Sequence, residues 1–127
     1  MATWDDVTAC TADLPELEQR PGERDWRVRG KPVAWERPLR RADLEHLGDA
    51  APTGPILGVR VPDLDAKDVR LRELSPAVFV TPHFDGYPAV LIDLERIDVD
   101  DLAALMEDSW ATQAPKTLVR QWRASPG

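Results

Sequence analysis

His83 is the side chain of this sequence best suited to acid–base chemistry, because an imidazole titrates near neutral pH. It lies in VTPHFDGYPAVLIDLERID, residues 80–98, between two prolines and just before a strand-like run. A general base normally needs an orienting or activating partner. The other candidates are His46, Cys10 and scattered carboxylates, and none stands at a spacing typical of such a pair. The sequence therefore predicts no catalytic residue, and we expect a binding protein rather than an enzyme.

A tight corner surrounds His83. Asp85-Gly86 is a turn dipeptide in which glycine can adopt a positive φ. We expect His83 and Tyr87 to pack over this corner, where the ring nitrogen and the hydroxyl meet backbone groups that the turn leaves unpaired. The alternative interpretation is a binding groove lined by His83, Tyr87 and Trp110.

The chain carries none of the sequence motifs of common cofactor and metal sites. It has no glycine-rich phosphate loop, no HExxH pattern, no EF-hand loop and no nucleophile elbow. Its single cysteine, Cys10, excludes an internal disulfide and a CxxC cluster. Cys10 also falls on the apolar stripe of the first predicted helix, which is typical of a buried and unreactive thiol. We expect no metal and no cofactor.

The composition is that of a cytosolic globular protein. Apolar residues make up 43% and charged residues 31% of 127 residues, which is ordinary for a single domain, here residues 1–127. The N-terminus lacks a signal-peptide pattern, and the longest apolar runs fall short of the roughly 18–20 residues that a membrane span needs. One cysteine suits a reducing compartment. We therefore expect a cytoplasmic protein with no membrane partner, and the sequence specifies no oligomeric state.

Charge is distributed unevenly along the chain. The net charge of −7 argues against a generic nucleic-acid binder, since such proteins need cations that displace counterions from phosphates. Residues 20–41, however, hold eight Lys/Arg and three acids, whereas residues 93–108 hold seven acids and one base. This polarity indicates either a partner interface or two solvated faces of unequal charge.

The basic region contains a predicted β-hairpin, WRVRGKPVAW, residues 26–35. Apolar and basic residues alternate along its first strand, as they do in a half-buried strand. We expect Gly30-Lys31 to form the turn. The predicted apolar face consists of Trp26, Val28, Val33 and Trp35. Arg27 and Arg29 are expected to point together to the opposite side, where they could contact neighbouring phosphates.

Ten cations are candidates for nucleic-acid binding. Seven lie in or beside the hairpin, and three recur at i, i+4 and i+7 on the last predicted helix. Such side chains would position a phosphate backbone without reading base sequence. The ten are Arg24, Arg27, Arg29, Lys31, Arg37, Arg40, Arg41, Lys116, Arg120 and Arg123.

The order of predicted elements is α–β–β–α–β–α–β–β–α–α. Strands come in pairs joined by turns, and helices cluster at the two ends of the chain. This order predicts an α+β fold of two layers, with a largely antiparallel sheet and helices packed on one face. Within the last long helix, the predicted buried stripe is Val99, Leu102, Leu105/Met106 and Trp110.

Residues 79–116 resemble the MmcQ/YjbR family. The resemblance rests on VFVTPHFDGYPAVLIDL followed by DLAALMEDSWATQAPKTL, and the hairpin WRVRGKPVAW also fits. It implies a small fold similar to the frataxin/CyaY type, in a double-wing arrangement, and a DNA-binding role. The segment ERPLRRADLEHLGDAAPTGP, residues 36–55, is a longer connection than the family pattern has.

Two functions therefore stand as expectations. The first is weak, phosphate-mediated DNA binding through the basic hairpin, which the resemblance and the local charge both favour. The second is a protein-interaction or regulatory adaptor with an acidic face and no nucleic-acid binding, since edge strands of small sheets recruit partner proteins by strand addition.

Overall fold

The protein folds around one six-stranded sheet, seen in a computed structural model that describes residues 1–125. The strands, numbered along the chain, are β1 (Leu17–Gln19), β2 (Asp25–Val28), β3 (Lys31–Glu36), β4 (Ile56–Arg60), β5 (Val78–Phe79) and β6 (Ala89–Asp93). Their order in the sheet is β1-β2-β3-β4-β6-β5, and every neighbouring pair is antiparallel. β1 and β5 are therefore the edges.

Five α-helices accompany the sheet. They are α1 (Trp4–Thr11), α2 (Arg41–Leu47), α3 (Leu64–Leu74), α4 (Val99–Gln113) and α5 (Lys116–Ala124). The α+β fold and the order of its elements are confirmed except for β1, which was missed because three residues are too few for an alternating pattern to register. No helix within residues 1–125 has the length and apolarity needed to cross a membrane.

The larger core lies between the helices and one face of the sheet. Trp26 of β2 and Trp110 of α4 are buried there with the apolar residues of β4 and β6. The predicted stripe of α4 is buried as expected at Leu102, Leu105 and Met106. Val99, in contrast, is 41% exposed, because it begins the helix at the rim of the core.

A smaller core covers the second face of the sheet. Ile56, Ala89 and Leu91 are buried there around Phe84, so β4 and β6 are apolar on both faces. The long connection between β3 and β4 contributes to this face, since Leu39 packs against the cluster. This connection thus covers part of the second face of the sheet.

The hairpin differs from its prediction in turn and register. The turn is Arg29-Gly30, with φ values of 48° and 81°, as a two-residue hairpin turn of type I′ requires. Arg27 pairs with Pro32 and Trp26 with Ala34, so Val33 is an extra, bulged residue. Trp35 therefore lies on the second face, and the prediction that it shares a face with Val33 is wrong.

Candidate functional site

The corner that carries His83 is a 3-10 turn, Pro82–Phe84, followed by Gly86 at φ 73°. Phe84 is buried in the smaller core, whereas His83 is exposed, and the two rings form a T-shaped pair with centroids 4.9 Å apart. Within residues 1–125 neither the His83 ring nor the Tyr87 hydroxyl makes a hydrogen bond to the corner backbone. The expected hydrogen-bonding role of these two side chains is therefore wrong.

Lys67 of α3 satisfies the corner backbone instead. Its side chain is buried, and Nζ donates to the carbonyl oxygens of Phe84, at 2.6 Å, and Tyr87, at 2.8 Å. Burial lowers the pKa of this ammonium group, although the nearby charges of Asp85 and Asp68 partly oppose that effect. Lys67 fixes the corner to α3 and is a structural cation.

A buried ion pair lies on the other side of Phe84. Arg37 and Asp43 are joined at 3.1 Å, with 7% and 4% of their side chains exposed. The Arg37 guanidinium also lies over the Phe84 ring at 5.3 Å. Arg37 is thus enclosed within the smaller core, and its predicted place on a phosphate-binding surface is corrected, because a buried and paired guanidinium cannot reach a polyanion.

The proposed groove of His83, Tyr87 and Trp110 does not form. Trp110 is completely buried in the larger core, where its indole N–H donates to the carbonyl oxygen of Pro15 at 2.8 Å. Tyr87 is 41% exposed on the opposite side of the sheet, beneath the guanidinium of Arg60 at 5.3 Å. The sheet separates these aromatics because Trp110 belongs to the buried stripe of α4.

Five of the other candidate cations are held by carboxylates at the surface. The pairs are Arg24–Glu36 at 3.2 Å, Arg27–Asp25 at 3.1 Å, Arg29–Glu16 at 2.9 Å, Arg41–Glu45 at 3.2 Å and Arg123–Glu107 at 3.4 Å. Arg27 and Arg29 bind different partners, and Arg29 belongs to the turn rather than the strand. Solvent-exposed pairs of this kind contribute little free energy and exchange readily.

A side-chain hydrogen bond joins the end of α4 to the start of β3, next to the hairpin turn. The side-chain amide of Gln113, the last residue of α4, donates to the carbonyl oxygen of Pro32 at 2.8 Å. Lys31 precedes that proline, and Lys116 begins α5 three residues after Gln113. We name four cations of these segments the tip surface: Arg29, Lys31, Lys116 and Arg120.

Three tip-surface cations have no carboxylate within 4.0 Å in the part of the chain that the structure describes. They are Lys31, Lys116 and Arg120, and all are exposed. Arg40 is likewise unpaired there, but it precedes α2 in the connection that covers the second face. Four of the ten predicted cations are thus without a carboxylate partner among residues 1–125, and Arg27, which is paired, also reaches the hairpin turn, where it donates to the carbonyl oxygen of Gly30 at 3.2 Å.

The acidic stretch from residue 93 to 108 is largely engaged by its own surroundings. Asp93 is buried and pairs with Arg96, and Asp108 pairs with Arg70. Asp100 and Asp101 stand in the first turn of α4, where the helix dipole favours negative charge. Within residues 1–125 no group of three or more His, Cys, Asp or Glu is arranged to hold a metal ion.

Cys10 is half-buried against the larger core. Burial raises the pKa of its thiol, and the negative charge of Asp6 adds to that effect. A thiol with a raised pKa is protonated at neutral pH and is a poor nucleophile.

Two mycobacterial proteins of undetermined function are similar to the whole chain. Uncharacterized protein Rv2570 of Mycobacterium tuberculosis and Uncharacterized protein Mb2600 of Mycobacterium bovis are each 49% identical over 131 aligned positions, which cover 100% of both chains. The chain belongs to their family. No protein-family model matches it, and no solved structure matches it.

Sequence reasoning did not find the side chains that support the corner around His83. Lys67, Asp43 and Phe84 form the framework of the corner, yet the prediction centred on His83. Lys67 stands between Ala66 and Asp68, and this local sequence does not indicate a buried lysine. Nothing in the sequence pairs Arg37 with Asp43, because only the folded connection brings them together.

Proposed function

We propose that this protein is a binding protein of the MmcQ/YjbR type, without enzymatic activity, that contacts the phosphate backbone of nucleic acid weakly through the tip surface. The observation that supports it is the 2.8 Å hydrogen bond from Gln113 to Pro32, which joins the hairpin turn to the start of α5. It joins the segments that carry Lys31 and Lys116, two cations that are 85 residues apart in sequence.

The charge of the tip surface suits phosphate contacts. Three of its four cations have no carboxylate partner among residues 1–125, and Arg29 is bound only by the exposed Glu16. An exposed pair of this kind can exchange its carboxylate for a phosphate at little cost. Because the whole chain carries −7, the rest of the molecule repels a polyanion and keeps the binding weak.

The expected salt dependence follows from the number of cations. Neutralising about three or four phosphates gives a slope of log K against log salt of about −3. Raising salt from about 50 to 200 mM should therefore reduce affinity roughly 60-fold. Contacts to phosphates alone predict no preference among duplexes of different sequence.

The test is fluorescence anisotropy of a labelled DNA duplex with two variants of equal net charge. Lys31→Glu/Lys116→Glu reverses two tip-surface cations, and Arg40→Glu/Arg41→Glu reverses two exposed cations of the β3–β4 connection. We expect the first variant to lose at least tenfold more affinity than the second. Equal losses in both, or no binding of the wild-type protein at low salt, would refute the proposal.

A further inference from the structure

The outer side of β1 is an open sheet edge. The backbone N–H of Arg20 donates to the carbonyl oxygen of Asp25 at 2.9 Å, so Glu18 and Arg27 form the next bonded pair along the two strands. The intervening residue, Gln19, therefore directs its N–H and C=O away from β2. Among residues 1–125 no other strand lies beyond it.

A cavity of about 710 Å³ adjoins this edge at the end of the sheet remote from the tip surface. Its lining includes Gln19, Glu23 and Glu36 together with Trp35, which is half-buried on the second face of the sheet. Arg24 also lines the cavity and pairs with Glu36 at 3.2 Å. Glu23 and the Trp35 ring are therefore the groups that receive a Lys or Arg side chain, by charge attraction and cation–π contact.

The surroundings of β1 are acidic. Residues 13–23 hold four acids and one base. Glu18 and Glu23 are exposed, and neither has a cationic partner within 4.0 Å in the described chain. A second copy of β1 is a poor occupant of this edge, because the two strands would bring their glutamates together.

We propose that the edge of β1 binds an extended, Lys/Arg-bearing segment of a partner protein by strand addition. Main-chain hydrogen bonds to Gln19 supply the pairing, Glu18 and Glu23 select basic residues, and one Lys or Arg side chain of the segment enters the cavity beside Trp35. This binding is independent of the proposed nucleic-acid contact, since the cavity and the tip surface lie at opposite ends of the β2–β3 hairpin.

The probe is a labelled, capped peptide of nine residues in which Lys alternates with Val. Two matched peptides separate the contribution of charge from that of strand pairing. One carries Glu in place of Lys, and the other keeps Lys but has alternate backbone nitrogens methylated, which blocks strand pairing. We expect only the unmodified Lys peptide to bind and to slow hydrogen exchange at the Gln19 amide at least tenfold. Equal binding of the methylated peptide, or no binding of the Lys peptide at about 1 mM, would overturn the proposal.

Variants with equal charge changes locate the site. Glu18→Lys/Glu23→Lys should weaken the Lys peptide at least tenfold, whereas Asp49→Lys/Glu73→Lys, which alters exposed acids elsewhere, should weaken it less than about twofold. Equal losses of peptide affinity in the two variants would show that the peptide is attracted by the overall negative charge, and would refute a site at the edge of β1. The first variant should still bind the DNA duplex at least as well as wild type, so failure of one proposal is distinguishable from failure of the other.

Discussion

The ammonium group of Lys67 lies 2.6 Å from the carbonyl oxygen of Phe84. This contact joins α3 to the corner between β5 and β6, and it adds a charged donor to a carbonyl oxygen that also accepts from the backbone N–H of Tyr87 at 3.0 Å. The buried Lys67 side chain therefore binds the backbone of the corner, while His83 lies at the surface. The segment around His83, which is rich in Pro and Gly, thus forms a turn whose backbone is bound by Lys67, and the histidine is not part of that support.

Replacing Lys67 by Met should destabilise the protein. The change keeps the aliphatic length but removes two charge-assisted hydrogen bonds, to the carbonyl oxygens of Phe84 and Tyr87, at a cost of about 1–3 kcal/mol in the free energy of unfolding. Urea denaturation measures it. Arg72→Met, an exposed change on the same helix, should remain within about 0.5 kcal/mol. If both variants unfold at the same urea concentration as wild type, Lys67 does not support the corner.

Phe84, rather than its neighbour His83, should control the stability of the smaller core. Phe84→Ala removes a ring that is 7% exposed and packs among Ile56, Ala89 and Leu91, so we expect a loss of about 3–5 kcal/mol. His83→Ala removes an exposed ring and should change the free energy of unfolding by less than about 0.5 kcal/mol. Thermal or urea unfolding of the two variants tests this difference, and a comparable loss of stability in both would contradict the role assigned to Phe84.

Asp43 should make stability fall at acid pH. Burial alone would raise the pKa of its carboxyl, but the backbone N–H of Arg40, at 2.9 Å, and the charge of Arg37 outweigh burial and lower it below 3.8. The ionised form is thus favoured in the folded state. Its contribution is present above pH 3.8 and is lost as pH falls through the lowered pKa.

The comparison that isolates this effect is wild type against Asp43→Asn. Near neutral pH the variant leaves the buried Arg37 charge uncompensated and should lose about 3–5 kcal/mol. Below the lowered pKa the wild-type carboxyl is also neutral, so the difference between the two proteins should shrink. Urea titrations at pH 6 and pH 3 measure it, and an unchanged difference would disprove the assignment.

The sequence predicted the larger core better than it predicted the site. Periodic apolar residues identified α4 and the inward face of β6, because a local repeat determines which side of an element is buried. The bulge at Val33 is invisible to such a repeat, and it moved Trp35 to the second face. Ion pairs between distant segments, such as Arg29 with Glu16, depend on tertiary contacts that no local pattern encodes.

For the same reason, fewer of the ten predicted cations are available for nucleic-acid binding than the sequence indicated. Counting Lys and Arg within a segment assumes that they share a surface, yet Arg37 folds inward and Arg24 pairs with Glu36 while lying over Trp4. In contrast, a side-chain hydrogen bond from Gln113 to Pro32 joins the segments that carry Lys31 and Lys116. Local charge excess is therefore a weaker guide than the contacts that join distant segments.

Gly58 should tolerate no side chain, because Trp35 lies directly over it. A Cβ at Gly58 would stand 2.6 Å from the indole nitrogen of Trp35, so Gly58→Ala must displace the ring and should cost about 1–3 kcal/mol. Gly54→Ala is the matched control, since its Cβ would meet only the exposed and flexible Glu95 side chain. Urea unfolding with tryptophan fluorescence tests both, and an equal cost in the two variants would contradict the packing of Trp35.

Removing the charge of Glu16 should strengthen nucleic-acid binding. The hydrogen bond from Arg29 lowers the pKa of the Glu16 carboxyl, so Glu16 is ionised at neutral pH and competes with phosphate for that guanidinium. Glu16→Gln frees Arg29 and should raise duplex affinity about two- to fivefold, because an exposed pair is weak. It should also make the salt dependence steeper by about 0.9 in slope. Glu45→Gln is the control, because it removes the same charge but frees Arg41, which lies away from the tip surface. It should leave the slope unchanged. Identical slopes in the two variants would exclude Arg29 from the contact.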